Sequence, residues 1–405
     1  MDAFGYLIPY GLEWLNLLVR WLHMITGIAW IGASFYFVWL DNSIRPPAPG
    51  SELAQKGVSG ELWAVHGGGF YNPQKYLVAP AELPKELHWF KWEAYSTWLS
   101  GIALLTIAYY FNAQAMMVDK AVADLSSLQA TGIGIGFLIA GWIVYDLLCR
   151  SPLVKREGWL GLTVFVLLSG AAWVLTHLLS GRAAFIHIGA MIGTIMVANV
   201  AMVIIPGQRK MVQAMQAGGL PDPSYGIKAK QRSVHNNYFT LPVLFIMISN
   251  HYAMTYRHPQ AWLVLALIMA AGVFIRHFFN LRHKGRVEWR YPAIGVALLL
   301  AVAVAIAPSR PAAVGAAADP EAQFRQVKAI IDQRCVSCHS AHPTQAGFAT
   351  APAGMVLDTP QQVRQHAMQI HKQAVELKAM PIGNLTNMTE PERAQLAAWF
   401  AAGAK

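Results

Sequence analysis

Cysteine is scarce in this chain: 405 residues hold three, too few thiolates for a four-cysteine iron–sulfur cluster. Charge is scarce too. Charged residues make up 13% of the chain against 55% apolar, a balance that describes a chain solvated mostly by lipid. No G-x-G-x-x-G fingerprint follows a strand, which argues against a dinucleotide fold. Gly132, Gly134 and Gly136 lie inside an apolar run, where small residues more often serve helix packing. The chain shows neither an internal repeat nor a pair of interrupted helices, so a transporter with a redox tail lacks support. Nor does a small-residue cleavage site follow the first apolar run, which starts too late and runs too long for a removable signal peptide. It is expected to be retained as an anchor.

Apolar runs of about 20 residues, the length that spans a bilayer, fall near 12–40, 94–111, 132–149, 159–179, 184–205, 236–256, 261–281 and 291–307. They predict eight transmembrane helices, and buried soluble helices would not account for so many runs in succession. Lysine and arginine concentrate in the first, third, fifth and seventh loops (45–91, 150–156, 209–232 and 282–290). The alternate loops carry Lys120, Arg182 and Arg257. Because cytoplasmic loops retain basic residues, both termini are expected on the periplasmic side of a bacterial inner membrane. The net charge of +10 is then mainly topological bias, and no nucleic-acid partner is expected.

Beyond the last run stands Cys335-Val336-Ser337-Cys338-His339. This C-x-x-C-H box attaches c-type haem: the thiols add to the haem vinyls and the adjacent imidazole ligates iron. A zinc half-site would need a second Cys/His pair at metal spacing, and the remaining cysteine, Cys149, lies in an apolar segment. The sixth ligand is expected to be Met380, in Lys378-Ala379-Met380-Pro381, with Met355, Met368 and Met388 as rivals. Before the box, 320–334 reads as an amphipathic helix with Phe324, Val327, Ile330 and Ile331 on one face. After Met380, Thr389-Glu390-Pro391-Glu392 fits a capping box ahead of Leu396, Trp399 and Phe400. Residues 321–405 resemble a class I cytochrome c domain, residues 307–320, rich in Ala and Pro, its linker, and 1–306 the membrane domain. Haem c is attached in the periplasm, in agreement with the charge bias.

Ionisable residues inside a membrane are costly and default to function. His23, His177, His187 and His251 fall in the expected outer half, His235 and His277 toward the inner face. Two facing histidines could ligate a haem b, and bonding from helix to helix is the alternative. His23, in Trp21-Leu22-His23 with Arg20 three residues before it, is similar to the first helix of haem-binding membrane families such as the membrane protoporphyrinogen oxidases. A second constellation gathers toward the expected cytoplasmic face: His66-Gly67-Gly68-Gly69, His88 to Tyr95, His235-Asn236-Asn237 and Arg276-His277-Phe278-Phe279-Asn280. Aromatics, amides and cations together suit a flat, polar, anionic heterocycle. An interfacial aromatic belt explains the Trp and Tyr, but explains paired amides in an apolar span poorly.

The segments Trp21 to Asp41, Trp89 to Trp98 and His235-Asn236-Asn237-Tyr238-Phe239-Thr240-Leu241-Pro242 to Tyr252, followed by the haem tail, resemble the membrane-bound urate oxidase (urate hydroxylase) family over essentially the whole chain. The resemblance implies an all-α polytopic bundle of eight transmembrane helices fused to a small cytochrome c domain. It also implies oxidation of urate to 5-hydroxyisourate, with electrons passed through haem c to a respiratory-chain cytochrome or terminal oxidase in place of oxygen. Urate near neutral pH is an anion whose two-electron oxidation leaves an electrophilic carbon, so its site needs a cation, amides and a base. From the residues, Arg276 or Lys91 could hold the anion, Asn236 and Asn237 could read the ring edge, and His235 or Glu93 could accept protons. Urate gives two electrons, haem c takes one, and a hydrocarbon core of about 30 Å would separate them. An intermediate carrier is therefore expected, with haem b near His23 the economical choice. The alternative is a non-catalytic or quinol-oxidising cytochrome subunit that serves a partner enzyme.

Overall fold

A computed structural model describes residues 3–307, 319–345 and 348–405. The chain is mostly helical. The longer helices of the N-terminal part are α1 (Ala3–Ser43), α2 (Trp92–Leu105), α3 (Ser127–Arg150), α4 (Glu157–Thr176), α5 (Gly181–Gln216), α6 (Pro223–Ser249), α7 (Ala261–His283) and α8 (Arg290–Ala305). Each apolar run of the sequence falls on one of them. Among the described residues, five, α1, α3, α4, α5 and α7, are long and apolar enough to cross a membrane, and α8 is a shorter apolar helix. The expected linker at 307–320 falls largely on residues 308–318, outside the described residues.

The bundle is sorted by burial. In the most apolar window of α5, 61% of residues are buried inside the protein, against 6% in α1. α5 is therefore the central post, in contact with α2, α3, α4 and α6, and α1 is a peripheral helix whose Trp21, Leu22, Met24 and Ile28 face outward. Outward apolar side chains would be costly in water and are ordinary against hydrocarbon.

Two helices depart from α geometry. α2 continues into a π-helical stretch at Thr106–Tyr110, and α5 passes through another at Asn199–Ile204. A π stretch inserts a residue into the helical ladder, turns the side chains that follow, and is frequent at functional sites. α6 begins at Pro223, with Asp222 capping it, earlier than the apolar run because its first turns are polar.

The loop between α1 and α2 carries a single helical turn at Glu52–Gln55 and is otherwise not helical, a departure from an all-α chain. It folds into two nested antiparallel pairs: β1 (Val58–Glu61) with β4 (Gln74–Tyr76), and β2 (Ala64–His66) with β3 (Gly69–Tyr71). Gly67 and Gly68, both at positive φ (58° and 82°), form the two-residue turn. That turn requires left-handed backbone at both positions and so favours glycine. His66-Gly67-Gly68-Gly69 is thus a hairpin tip. Lys75 of β4 and Lys230 of α6 both pair with Asp41 at the end of α1, tying the hairpins to what we term the lower end of the bundle.

The C-terminal part sits at the other, upper end. α9 (Pro320–Arg334) and α10 (Glu390–Ala401) cross with Phe324 and Trp399 in contact, ring centroids 5.9 Å apart. Phe324, Val327, Ile330 and Ile331 are buried, and Thr389 caps α10 in a capping box with Glu392, as the pattern in the sequence requires. The loop at 377–383 packs on the membrane part: Leu377 and Ala379 join its core, and Gly383, at φ 55°, lies against the carbonyls of Ala115 and Val118. Thr350 donates a hydrogen bond to Glu13 of α1.

Candidate functional site

The adjacent asparagines of α6 belong to two different polar networks in the lower half of the bundle. Asn236 accepts from Asn199 (2.8 Å) and donates to the Met196 carbonyl (2.9 Å). Asn199, the first residue of the π stretch in α5, also donates to the Tyr145 hydroxyl (3.1 Å) and accepts from Arg232 (3.1 Å). Arg232 forms a buried ion pair with Asp146 (2.7 Å), whose second oxygen pairs with Arg150 (2.7 Å). His235 closes this set: its Nδ1 and the Tyr145 hydroxyl are 2.7 Å apart, with the Cys149 thiol 3.9 Å away. Charges and amides here answer one another, as buried polar groups must.

Asn237 turns the other way, toward α7. Its Oδ1 accepts from Arg276 Nε (2.8 Å) and Asn280 Nδ2 (3.0 Å). The Arg276 guanidinium lies 4.1 Å from the ring centroid of Phe35 of α1. Here the accounting fails to close. Asn237 Nδ2, Arg276 Nη2, Asn280 Oδ1 and His283 Nδ1 are all buried without a hydrogen-bond partner. Arg276, Asn280 and His283 are spaced i, i+4, i+7, one face of a helix. A buried polar group left unpaired costs about 1–3 kcal/mol, more if charged. Four in one cluster mark a place that expects a polar ligand or water. They offer a cation, an amide donor, an amide acceptor and an imidazole.

Of the residues singled out in the sequence, Asn237 and Arg276 thus meet, while Asn236 and His235 stand in the neighbouring network. Lys91 lies over the ring of Trp92 (5.6 Å), and Glu93 stands in the first turn of α2. Among the described residues neither shares a hydrogen bond or ion pair with the Asn237 cluster. Phe35, His283, Asp146, Asn199 and Arg232 were not expected as members of a site. The i, i+4, i+7 spacing from Arg276 is the signal that could have found His283, and that could have joined Asn280 to Arg276.

Of the histidines expected in the outer half, His23, His177 and His187 do not form a facing pair. His23 Nδ1 bonds the Thr97 carbonyl (2.9 Å) and Ser100 (3.1 Å), and its ring lies against Gly101 of α2. His187 donates from Nδ1 to the Ala183 carbonyl (2.8 Å), which leaves Nε2 to accept from the Tyr110 hydroxyl (3.2 Å), and its ring fills the space over Gly134. Gly101 and Tyr110 are nine residues apart on one helix, about 14 Å at 1.5 Å per residue. His177, near the end of α4, donates to the Trp173 carbonyl (2.7 Å). The geometry does not fit a haem held between any two of these rings.

The residues of the C-x-x-C-H box do fit their expected group. Both thiols are free. Burial pushes Cys335 up to about 12 and Cys338 upward as well. His339 Nδ1 can only donate to the Met355 carbonyl (3.0 Å), so Nε2 keeps its lone pair for a metal. Burial lowers the imidazole's pKa and favours that neutral form. Among the methionines, Met388 is buried in the domain core, Met368 is exposed and Met355 packs at the core's edge. Met380 stands half-buried in the loop that packs on the membrane part. The amide N–H of Met380 bonds the Gln373 carbonyl (3.0 Å), and its own carbonyl accepts from Arg393 (2.9 Å).

Residues 9–307 match the family model described as urate oxidase N-terminal. No curated protein and no solved structure matches the chain.

Proposed function

We propose that this chain, which belongs to the urate oxidase N-terminal family, oxidises urate to 5-hydroxyisourate and passes the electrons to a respiratory-chain cytochrome or terminal oxidase. The observation that carries the reading is the unpartnered cluster at Asn237, Arg276, Asn280 and His283. The urate anion would sit on the Arg276 guanidinium. Asn237 Nδ2 would donate to a ring carbonyl, and Asn280 Oδ1 would accept from a ring N–H. Loss of two electrons leaves an electrophilic carbon that water attacks, and His283 would take the water's proton. His235 and Glu93 yield that role to His283, because His235 is engaged with Tyr145 and Glu93 lies outside the cluster. Lys91, just before α2, serves as an interfacial cation, and Asn236 acts by holding α5 to α6 beside the site.

Cys335 and Cys338 would hold a covalent haem c, with His339 and Met380 as iron ligands. When bound it supplies a one-electron acceptor. The chain would cross a bacterial inner membrane eight times, with both termini and residues 321–405 in the periplasm. The charge bias of the loops and the fit of the box support that orientation independently. A quinol-oxidising cytochrome subunit is the second reading, favoured by an apolar cleft described below.

Anaerobic addition of urate to purified oxidised protein tests the proposal. Reduction of the haem bands with stoichiometric 5-hydroxyisourate is expected. No reduction by urate, but rapid reduction by a quinol, would replace it with the second reading.

A further inference from the structure

Between α2, α3 and α5 lies a cleft of about 700 Å³, within the usual range for small-molecule sites. Its wall is almost wholly apolar and strongly aromatic, with Tyr95, Trp98, Tyr110 and Trp142 among the lining residues. Its lips, Leu99, Ile139 and Met202, are exposed apolar side chains on membrane-type helices, so the cleft opens sideways into the lipid layer. Both π-helical stretches of the membrane part contribute to it, Thr106 and Tyr110 from one and Ala201 and Met202 from the other. The two irregularities in otherwise regular helices therefore converge on one cavity.

One wall carries a proton-handling pair. The Tyr110 hydroxyl is 3.2 Å from His187 Nε2, and because His187 Nδ1 donates to a backbone carbonyl, the phenol is the donor. At the lower side, Trp142 lies beside Tyr145 (ring centroids 6.2 Å apart), and Tyr145 bonds Asn199, the partner of Asn236. The cleft thus adjoins the network that borders the Asn237 cluster.

We propose that this cleft binds a lipid-soluble quinone, with its ring between the aromatic side chains, its tail in the lipid and its head group at Tyr110, whose hydroxyl oxygen accepts from the quinol O–H while its own hydrogen is given to His187. A fatty acyl chain would satisfy the apolar wall but would leave the phenol–imidazole pair without purpose. A quinone uses both, because its reduction takes up two protons with two electrons. Resting on the urate reading, the balanced step is urate + H2O + quinone → 5-hydroxyisourate + quinol. The carbon gains the water oxygen, two electrons pass to the quinone, and the two protons released are those the quinol carries. Such a carrier matches the two electrons of urate in a way that a single-electron acceptor does not.

The test titrates decylubiquinone into the full-length holo-protein and follows tryptophan fluorescence, since Trp98 and Trp142 stand in the wall. Saturable quenching is expected. Ala201→Phe, at an exposed position of the lip, is expected to weaken binding at least tenfold with the haem spectrum and Tm unchanged. Tyr110→Phe is expected to retain binding and to slow urate-driven quinol formation at least tenfold. Quenching that does not saturate, that is equal in Ala201→Phe, or that is displaced by dioleoyl phospholipid at equal concentration overturns the site. Urate turnover with a one-electron dye but no quinol formed overturns the redox step and leaves the urate reading standing. Quinone binding with no urate turnover under any acceptor overturns the urate reading and leaves the site standing.

Discussion

Asn236 and Asn237 are neighbours in the chain and opposites in circumstance. A residue in α6 is rotated about 100° from the one before it, so the two amides leave the helix toward different partners. Asn236 meets a complete network, in which Asp146, Arg232, Asn199 and Tyr145 satisfy one another. Asn237 meets an incomplete one, in which Arg276, Asn280 and His283 each keep a buried atom unpaired. The first pattern belongs to a structural joint, where removal of a member strands a buried charge or amide. The second belongs to a binding site, where the missing partners arrive with the ligand. Polar residues of the same kind, one position apart, therefore call for opposite expectations on substitution.

The largest effect should come from Arg276→Gln. Loss of the cation is expected to lower urate turnover by about 10³-fold, the scale seen when a charge-stabilising donor is removed, while Tm stays near that of the wild type. Steady-state assays with parallel thermal melts check both halves. Arg232→Met is expected to do the reverse. It leaves Asp146 with the exposed Arg150 as its one charged partner, a loss of up to about 3–5 kcal/mol of stability, read as a fall in Tm and in yield of folded protein. The same pairing in milder form is Asn237→Ala against Asn236→Ala. The former should impair turnover with little change in stability, and the latter should cost about 1–3 kcal/mol through the stranded Asn199 amide. If both asparagines behave alike, the division into joint and site is wrong.

A further comparison sets the membrane part against the C-terminal part, which meet at the 377–383 loop. A Cβ at position 383 would come within 3.0 Å of the Ala115 and Val118 carbonyls, and the backbone there is left-handed. Gly383→Val is therefore expected to loosen the contact. Faster limited proteolysis near residue 383, with unchanged melting of the membrane part, would show it. The smallest effect concerns pH. Burial opposes ionisation of Glu392, but hydrogen bonds from Thr389 and Arg334 hold its carboxyl below the ordinary 4.5. A depressed carboxyl stabilises the fold above its ordinary value and loses that contribution as pH falls through the folded value. Glu392→Gln should flatten the acid limb of a Trp399 fluorescence titration below about pH 4.5.

Much of the fold was legible because lipid-length apolar runs and capping chemistry are local signals. Every expected run coincides with a helix, α9 covers the residues read as an amphipathic helix, and the cap of α10 stands where its Thr, Pro and Glu pattern put it. The hairpins of the first loop were missed. Their strands are three or four residues long, and their one clear signal, Gly67-Gly68, was read as part of a binding constellation. The π stretches were missed because no sequence period marks them. Within the candidate site, Arg276 and Asn237 were legible as costly polar residues in apolar runs. Their division from Asn236 and His235 was not, because His-Asn-Asn was treated as one unit and helical rotation separates its members. The histidines illustrate the same limit: His187 is buried, His23 half-buried and His177 exposed, and His23 and His187 bond to points far apart on α2.

The central claim is that the unpaired atoms around Asn237 receive urate. It is tested most directly by calorimetric titration of urate, without oxygen, into oxidised wild-type protein and the Arg276→Gln and Asn236→Ala variants. Binding by wild type and Asn236→Ala, with loss in Arg276→Gln, is the predicted result. Equal binding by Arg276→Gln and wild type would contradict it.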